Sequence, residues 1–265
     1  MSKTVIIGGV AGGASAAARL RRLDETMEIV ILERGDYISY ANCGLPYHIG
    51  DVIKERSNLL LQTPELMKSR YNVDVRVRNE VVGIDPDRHI VTVKGDGGET
   101  YEEGYDDLII ATGSSPARPN IPGADIDGIY SLWTINDTDR IRGVVDERQP
   151  KDAVILGAGF IGLEVAENLH KRGVHVSVID HNPQVMKPLD RDMAGLLAKN
   201  MRDNGVTLYL SSGIESFERR GEKIAVEITG VGVVETDMVI VSAGVRPNSG
   251  IAREAGIELN ERGGI

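Results

Sequence analysis

The sequence predicts an α/β protein: two successive folds of parallel strands with covering helices, and a small β-meander inserted in the first. Three observations predict it. The stretch "KTVIIGGVAGGASAAARLRRLDETMEIVILERGD" at residues 3–36 reads as strand, glycine turn, helix and strand. The stretch "KDAVILGAGFIGLEVAENLHKRGVHVSVIDHNP" at residues 151–183 repeats that order. Between them, residues 73–105 alternate apolar and polar side chains with turn residues at Asp85-Pro86 and Gly95–Gly98, the pattern of short antiparallel strands. Strand–turn–helix repeated with parallel-strand patterning is the Rossmann-like dinucleotide-binding design.

Each element has a reason in the chain. Val5, Ile6 and Ile7 form an unbroken apolar run, as expected of a strand buried on both faces. Gly8, Gly12 and Gly13 make the turn, and Ala14–Leu23 is rich in strong helix formers. Glu28–Leu32 is the next apolar strand and ends at Glu33. In such a unit the helix N-terminus takes a pyrophosphate and the acid takes a ribose hydroxyl. Val10 stands where the fingerprint has its second glycine, so Gly12 is expected to leave the room that Val10 does not. In the second unit Val154–Leu156 is the strand, Gly157, Gly159 and Gly162 match the fingerprint fully, and Asp180 ends the second strand. His181 and Asn182 follow Asp180, with no arginine to meet a 2′-phosphate, so NADH is favoured over NADPH.

Two further strands exit into matching turns: Leu108–Ala111 into Thr112-Gly113, and the strand within "VETDMVIVSAGVRPNS" into Ala243-Gly244. This echo predicts duplicated folds. Pro116–Pro122 reads as a linker. The expected organisation is a first fold over residues 1–115, a linker and approach over 116–150, a second fold over 151–245, and a return towards the first fold over 246–265.

A chain of 265 residues is long enough for one large or two medium domains. Its net charge of −10 argues against nucleic acid or an anionic membrane as partner. No apolar run reaches membrane-spanning length, and the early glycine-rich run suits a strand, turn and helix better than a signal peptide. One cysteine, Cys43, permits no internal disulfide, which suits a reducing, cytoplasmic setting. The five histidines show no metal-ligand spacing, so no metal is expected. Cys43 lies in "SYANCGLPYHIG", where Gly44-Leu45-Pro46 predict a turn opening a helix. The thiolate is the reactive form of cysteine, and a helix N-terminus favours an anion.

The order of these features resembles a known family. A first dinucleotide fold ending in Glu33, then Cys43, "ATG" at 111–113, a second fold ending in Asp180 and "AGVRPN" at 243–248 resemble the flavoprotein pyridine nucleotide-disulfide oxidoreductases. One cysteine rather than a close pair resembles the single-cysteine branch. "NCGLPY" with "GGVAGGASAAARLRRL" is most similar to coenzyme A-disulfide reductases and NADH-dependent persulfide reductases. His48 and "LQTPE" at 61–65 lean towards the persulfide side.

The resemblance implies FAD in the first fold, held through Gly8, Val10, Ala11, Gly12, Glu33, Arg34, Asn42, Val81, Ala111, Thr112 and Gly113. It implies NAD(P)H in the second, held through Gly157, Gly159, Phe160, Ile161, Gly162, Asp180, His181, Ala243 and Gly244, with Glu164 near the nicotinamide. Cys43 would be the redox-active nucleophile, and a coenzyme A disulfide or persulfide the small-molecule substrate, with coenzyme A as substrate or bound thiol. Ser15, Arg19 and Arg22 fall at i, i+4 and i+7, on one helical face, while Ala16, Leu20 and Leu23 are expected to face the core. With Ser39, Asn42 and Tyr71, that first face matches the family's coenzyme A contacts; Tyr71 stands where lysine is common.

Two alternatives stay open on the residues: an NADH oxidase or peroxidase cycling Cys43 through a sulfenic acid, and a catalytically silent nucleotide-binding module. Arg19 and Arg22 favour the coenzyme A disulfide or persulfide reductase over both, since oxygen and peroxide need no phosphate handle. The family continues past a position equivalent to "ELNERGGI" with a flavin contact and a dimerisation domain, so this chain is expected to be part of a longer protein that is a homodimer when intact.

Overall fold

The computed structural model describes residues 2–265. The chain begins with β1 (Lys3–Ile7), α1 (Ala11–Leu23) and β2 (Glu28–Glu33). A 3-10 turn at Asn42–Gly44 leads into a short helix, α2 (Leu45–Ile49), followed by α3 (Pro64–Tyr71) and β3 (Asp74–Val77). Then come β4 (Glu80–Asp85), β5 (Ile90–Lys94), β6 (Thr100–Gly104), β7 (Asp107–Ile110) and β8 (Ser114–Pro116). The rest runs through β9 (Ile129–Tyr130), α4 (Ile135–Arg148), β10 (Asp152–Leu156), α5 (Phe160–Lys171), β11 (His175–Asp180), α6 (Arg191–Asp203) and β12 (Thr207–Leu210). It ends with β13 (Ile214–Arg220), β14 (Lys223–Ile228), β15 (Gly232–Thr236), β16 (Met238–Val241), β17 (Val245–Pro247) and α7 (Gly250–Glu254).

These elements sort into two compact units. The first takes the chain up to Ala41, Ser57–Ser115 and Arg246–Ile265; the second takes Asn42–Arg56 and Pro116–Val245. The cysteine segment therefore packs with the second unit, although it lies within the span that the sequence reading gives to the first.

In the first unit a parallel sheet has the order β3-β2-β1-β7, with Val5 level with Val30 and with Leu108. Alternate residues of β1 point to opposite faces. Val5 and Ile7 pack with Val81, Val91 and Val93 of the antiparallel β4-β5-β6 meander. Ile6 points the other way, into a cluster with Ala17 of α1, Ile31 of β2 and Met67 of α3. β3 belongs to this parallel sheet and not to the meander. As the sheet's outer strand it is half-buried along its length, which is why its sequence alternates like a meander strand.

The second unit repeats the plan with a parallel sheet in the order β12-β11-β10-β16-β9. It too carries an antiparallel meander, β13-β14-β15, whose Phe217, Ile224 and Val226 cover Val154, Leu156 and Val241. The sequence reading anticipates only the first meander.

α1 corrects one expectation. Leu23 is 65% exposed, not in the core. The buried face is Gly13, Ala14, Ala17 and Arg21. Arg21 reaches the ends of two elements: its Nε donates to the Tyr71 carbonyl at 2.6 Å and its guanidinium nitrogens donate to the carbonyls of Asn72, Asp24 and Glu25. A charged side chain takes the core-facing place because four backbone acceptors need donors there.

Candidate functional site

The two glycine turns are built alike. Gly8 has φ +97°, and a Cβ there would fall 2.3 Å from the Ala111 carbonyl oxygen. Gly157 has φ +110°, and a Cβ there would fall 2.4 Å from the Ser242 carbonyl oxygen. Only glycine meets both demands. One helical turn on, a Cβ on Gly13 or Gly162 would fall 1.8 or 2.0 Å from the carbonyl oxygen of Gly8 or Gly157. Those two glycines let each helix sit against its turn.

Gly12 and Gly159 are open. A Cβ on Gly159 would meet nothing within 4 Å, and one on Gly12 would touch only the Ala111 Cβ, at 3.7 Å. Gly12 thus leaves the space that Val10, half-buried at the N-cap of α1, does not. Neither α1 nor α5 has a side chain capping its first turn or an acid within it. Their first backbone N–H groups stay available to an anion, and the helix dipole favours one there. Ala11 and Phe160 open the two helices and are exposed, Phe160 by 65%; Ile161 is half-buried.

The two acids are also alike. Glu33 is 8% exposed and accepts from the Gly9 N–H at 2.7 Å with one oxygen and the Gly35 N–H at 2.7 Å with the other. Asp180, also 8% exposed, accepts from the Ala158 N–H at 2.7 Å and the Asn182 N–H at 2.8 Å. Each acid ties the end of its strand to its glycine turn; both oxygens of Glu33 keep acceptor capacity for a ribose hydroxyl, and in Asp180 the Oδ2 does, because Oδ1 also accepts from Asn182 Nδ2 at 2.8 Å. Arg34 is exposed, and His181 is 84% exposed with its Nδ1 3.5 Å from Asp180. Val81 points into the apolar cluster between sheet and meander, so only its backbone is left for a ligand.

The exit turns match in backbone shape, Gly113 at φ +63° and Gly244 at φ +98°. Thr112, Gly113 and Ser115 are fastened by Asn248. Thr112 Oγ1 donates to the Asn248 carbonyl at 2.7 Å, and Asn248 Nδ2 donates to the Thr112 carbonyl at 2.9 Å. Ser115 Oγ donates to Asn248 Oδ1 at 2.8 Å. The reading of "AGVRPN" includes Asn248 without giving it a role; a side chain with both donor and acceptor, following a proline, was the available signal. Ala243 is exposed beside Gly244. On α5, burial pushes the Glu164 carboxyl above the ordinary carboxylate range, and the charge of Glu167 pushes the same way.

On the outer face of α1, Ser15, Arg19 and Arg22 are all exposed, as the spacing predicts. Among the described residues neither arginine forms an ion pair. Ser39 takes a left-handed backbone, φ 42°, its N–H donating to the Gly9 carbonyl at 3.0 Å. Tyr71, at the end of α3, is half-buried in the cluster under α1. The first unit thus brings Ser39 to the glycine turn and keeps the two arginines free on the helix that follows it.

In the second unit Cys43 is an exposed free thiol in the 3-10 turn, with exposed Asn42 before it. Leu45, Pro46, His48 and Ile49 of α2 are buried. His48 Nδ1 lies 2.6 Å from the Ile53 carbonyl, so this histidine secures the segment's own fold. No group of side chains suited to hold a metal ion occurs among the described residues, and no helix there is long and apolar enough to cross a membrane.

Comparison with known proteins agrees with this architecture. The family model described as pyridine nucleotide-disulphide oxidoreductase matches residues 2–265. Coenzyme A disulfide reductase of Staphylococcus haemolyticus is 35% identical over 99% of this chain and 58% of its own length. NADH oxidase of Methanocaldococcus jannaschii is also 35% identical, over 98% of this chain and 60% of its own. Among solved structures, reduced Bacillus anthracis CoADR-RHD superposes with a TM-score of 0.96 at 46% identity, covering 99% of this chain and 47% of that one. An NAD-dependent persulfide reductase from A. fulgidus superposes with 0.94 at 35% identity, covering 98% and 49%. The chain spans about three-fifths of the length of these curated relatives. With the whole described length matched by its model, the chain belongs to the pyridine nucleotide-disulphide oxidoreductase family.

Proposed function

We propose that this chain is the nucleotide-binding part of an FAD-dependent NAD(P)H oxidoreductase that reduces coenzyme A disulfide or coenzyme A persulfide through Cys43. The observation that carries the reading is the combination of two open, uncapped glycine turns with one exposed cysteine in the 3-10 turn that leads into a buried helix. The room at Gly12 and the free N–H groups of α1 fit the pyrophosphate of FAD, and the room at Gly159 with those of α5 fits that of NADH.

Glu33 and Asp180 would accept from the two riboses. Asp180 with His181, and no adjacent arginine, supports NADH over NADPH. When bound, FAD supplies the two-electron relay between NADH and sulfur. Cys43 supplies the nucleophile: its thiolate attacks one sulfur of coenzyme A disulfide, forms a Cys43–coenzyme A disulfide and releases one coenzyme A thiolate. Two electrons from NADH then cleave that mixed disulfide, releasing the second coenzyme A and restoring the thiolate. With a coenzyme A persulfide, attack on the terminal sulfur breaks the S–S bond, releases coenzyme A thiolate and leaves a Cys43 persulfide; two electrons from NADH, with protons from water, then cleave that persulfide, releasing hydrogen sulfide and restoring the thiolate. Arg19 and Arg22, with Ser15, Ser39, Asn42 and Tyr71, would bind the phosphorylated coenzyme. The equal identity to an NADH oxidase makes these arginines the feature that favours a coenzyme A substrate over oxygen. The intact protein is read as a cytoplasmic homodimer, the compartment following from its lone free thiol.

The test is anaerobic NADH oxidation by the intact FAD-loaded protein with coenzyme A disulfide or persulfide, set beside NADH oxidation by oxygen. Cys43→Ser should abolish the sulfur-dependent rate. Turnover unchanged by Cys43→Ser, or oxygen as the faster acceptor, would overturn the reading.

A further inference from the structure

The segment that carries Cys43 is too short to hold its own shape. α2 has five residues, and a helix of that length is unstable alone. Its last carbonyls need donors from elsewhere. Two arginines of the second unit supply them. Arg142 of α4 donates from Nη1 to the His48 carbonyl at 2.6 Å and from Nη2 to Asp51 at 2.8 Å. Arg172, at the end of α5, donates from Nη1 to the Ile49 carbonyl at 3.1 Å.

One carboxylate aligns both arginines. Asp146 accepts from Arg142 Nε at 3.3 Å with one oxygen and from Arg172 Nη2 at 2.5 Å with the other. Burial would raise the Asp146 carboxyl, but the hydrogen bond and charge of Arg172 and the charge of Arg142 outweigh it, and the group is held below its ordinary range. Arg56, where the segment ends, forms a forked pair with Asp139 at 2.7–2.9 Å. Asp139, Arg142 and Asp146 lie at i, i+3 and i+7, so α4 turns one polar stripe to the cysteine segment. α5 packs against α2 as well. Asn168 is fully buried, and a Cβ on Gly50 would fall 2.0 Å from its Oδ1. Gly50 has φ −76°, a conformation open to any residue, so glycine is needed here for close approach and not for backbone shape.

We infer that Arg142, aligned by Asp146, is a positioning residue for the Cys43 thiol. It touches neither the sulfur nor a substrate, and it fixes the C-terminal end of the helix whose N-terminal side presents the cysteine. The inference deepens the proposed function, since a thiol that must take electrons and attack a disulfide needs a fixed place.

The test exploits the single cysteine of the full chain. The second-order rate of Cys43 with 5,5′-dithiobis(2-nitrobenzoate) is measured for wild type, Arg142→Ala, Arg142→Lys and Asp146→Asn, and the same set is repeated with coenzyme A disulfide. Cys43 is already exposed, so loss of global stability alone does not alter its rate in the folded state. The expected result is a change of about fivefold or more in Arg142→Ala with the aromatic disulfide, partly restored by lysine, which keeps the charge but loses the fork. Asp146→Asn should move the rate the same way by about twofold to threefold, and it serves if Arg142→Ala does not fold. Rates within about twofold of wild type in all variants would overturn the inference. A wild-type thiol that reacts with the aromatic disulfide but not with coenzyme A disulfide would overturn the substrate reading alone.

Discussion

Alanine at Gly159 and at Gly162 separates ligand room from packing room within one turn of α5. A Cβ on Gly159 meets nothing within 4 Å, and the residue has φ −86° and ψ −171°, extended backbone that alanine adopts freely. Alanine lowers unfolded-state entropy, a gain of about 0.4–1 kcal/mol, and loses some N-cap preference, a similar amount, so Gly159→Ala should leave stability within about 1 kcal/mol. At Gly162 the new Cβ would lie 2.0 Å from the Gly157 carbonyl oxygen and 2.7 Å from Ser242 Oγ. The helix would have to move off its turn, an overpacking penalty of about 1–3 kcal/mol or more. For a chain of this size that is a fall in Tm of roughly 2–4 °C per kcal/mol. The open space at Gly159 is where we place the pyrophosphate, so a methyl group there should weaken NADH binding by about tenfold to a hundredfold, or about 1.4–2.8 kcal/mol. Thermal unfolding and a fluorescence titration with NADH read the two effects. NADH binding unchanged in Gly159→Ala, or a larger loss of stability there than in Gly162→Ala, would refute the assignment of the turn.

Further outcomes follow from single groups. Glu103 is 9% exposed and is held by Lys3 at 2.5 Å and by Arg76. Burial would raise its carboxyl, but the two cations outweigh it and hold the group below its usual 4.5. A carboxylate lowered in the folded state stabilises above that value and loses its contribution as pH falls through the folded pKa. Glu103→Gln should therefore cost about 1–3 kcal/mol at pH 7 in urea unfolding, with the gap to wild type closing below about pH 4. The Glu103 hydrogen bond raises Lys3 above 10.5, so that part of the contribution is instead lost as pH rises past the amine's folded value. Arg19→Ala with Arg22→Ala should weaken coenzyme A disulfide about tenfold in KM while sparing NADH, read from steady-state kinetics of the intact enzyme. Asp180→Ala with His181→Arg should shift binding preference towards NADPH by about tenfold, read from paired titrations.

The sequence showed the two folds because their logic is local. The apolar runs at Val5–Ile7 and Val154–Leu156, the glycines after them and the acids at Glu33 and Asp180 all lie within short reach of one another. In the dense glycine turn at 8–13 the room at Gly12 was legible from Val10, but the close approach of Gly13 to Gly8 was not. Leu23 is exposed and Arg21, to which the sequence reading gave no place, is buried, because helix periodicity scores apolarity and cannot see that Tyr71 and Asn72, about fifty residues on, present carbonyls to α1. β3 alternates because it is an outer strand, and alternation alone does not distinguish that from a meander. Asn42–Arg56 groups with the second unit, where α2 packs on α4 and α5 and accepts from Arg142 and Arg172, roughly ninety to a hundred and twenty residues away, beyond any local pattern.

The most direct measurement is an intact mass spectrum of the protein after anaerobic mixing with coenzyme A disulfide, before and after mild reduction. The account predicts one coenzyme A adduct on Cys43, lost on reduction and absent from Cys43→Ser. A thiol left unmodified, or one that gains only oxygen when air is admitted, would contradict it.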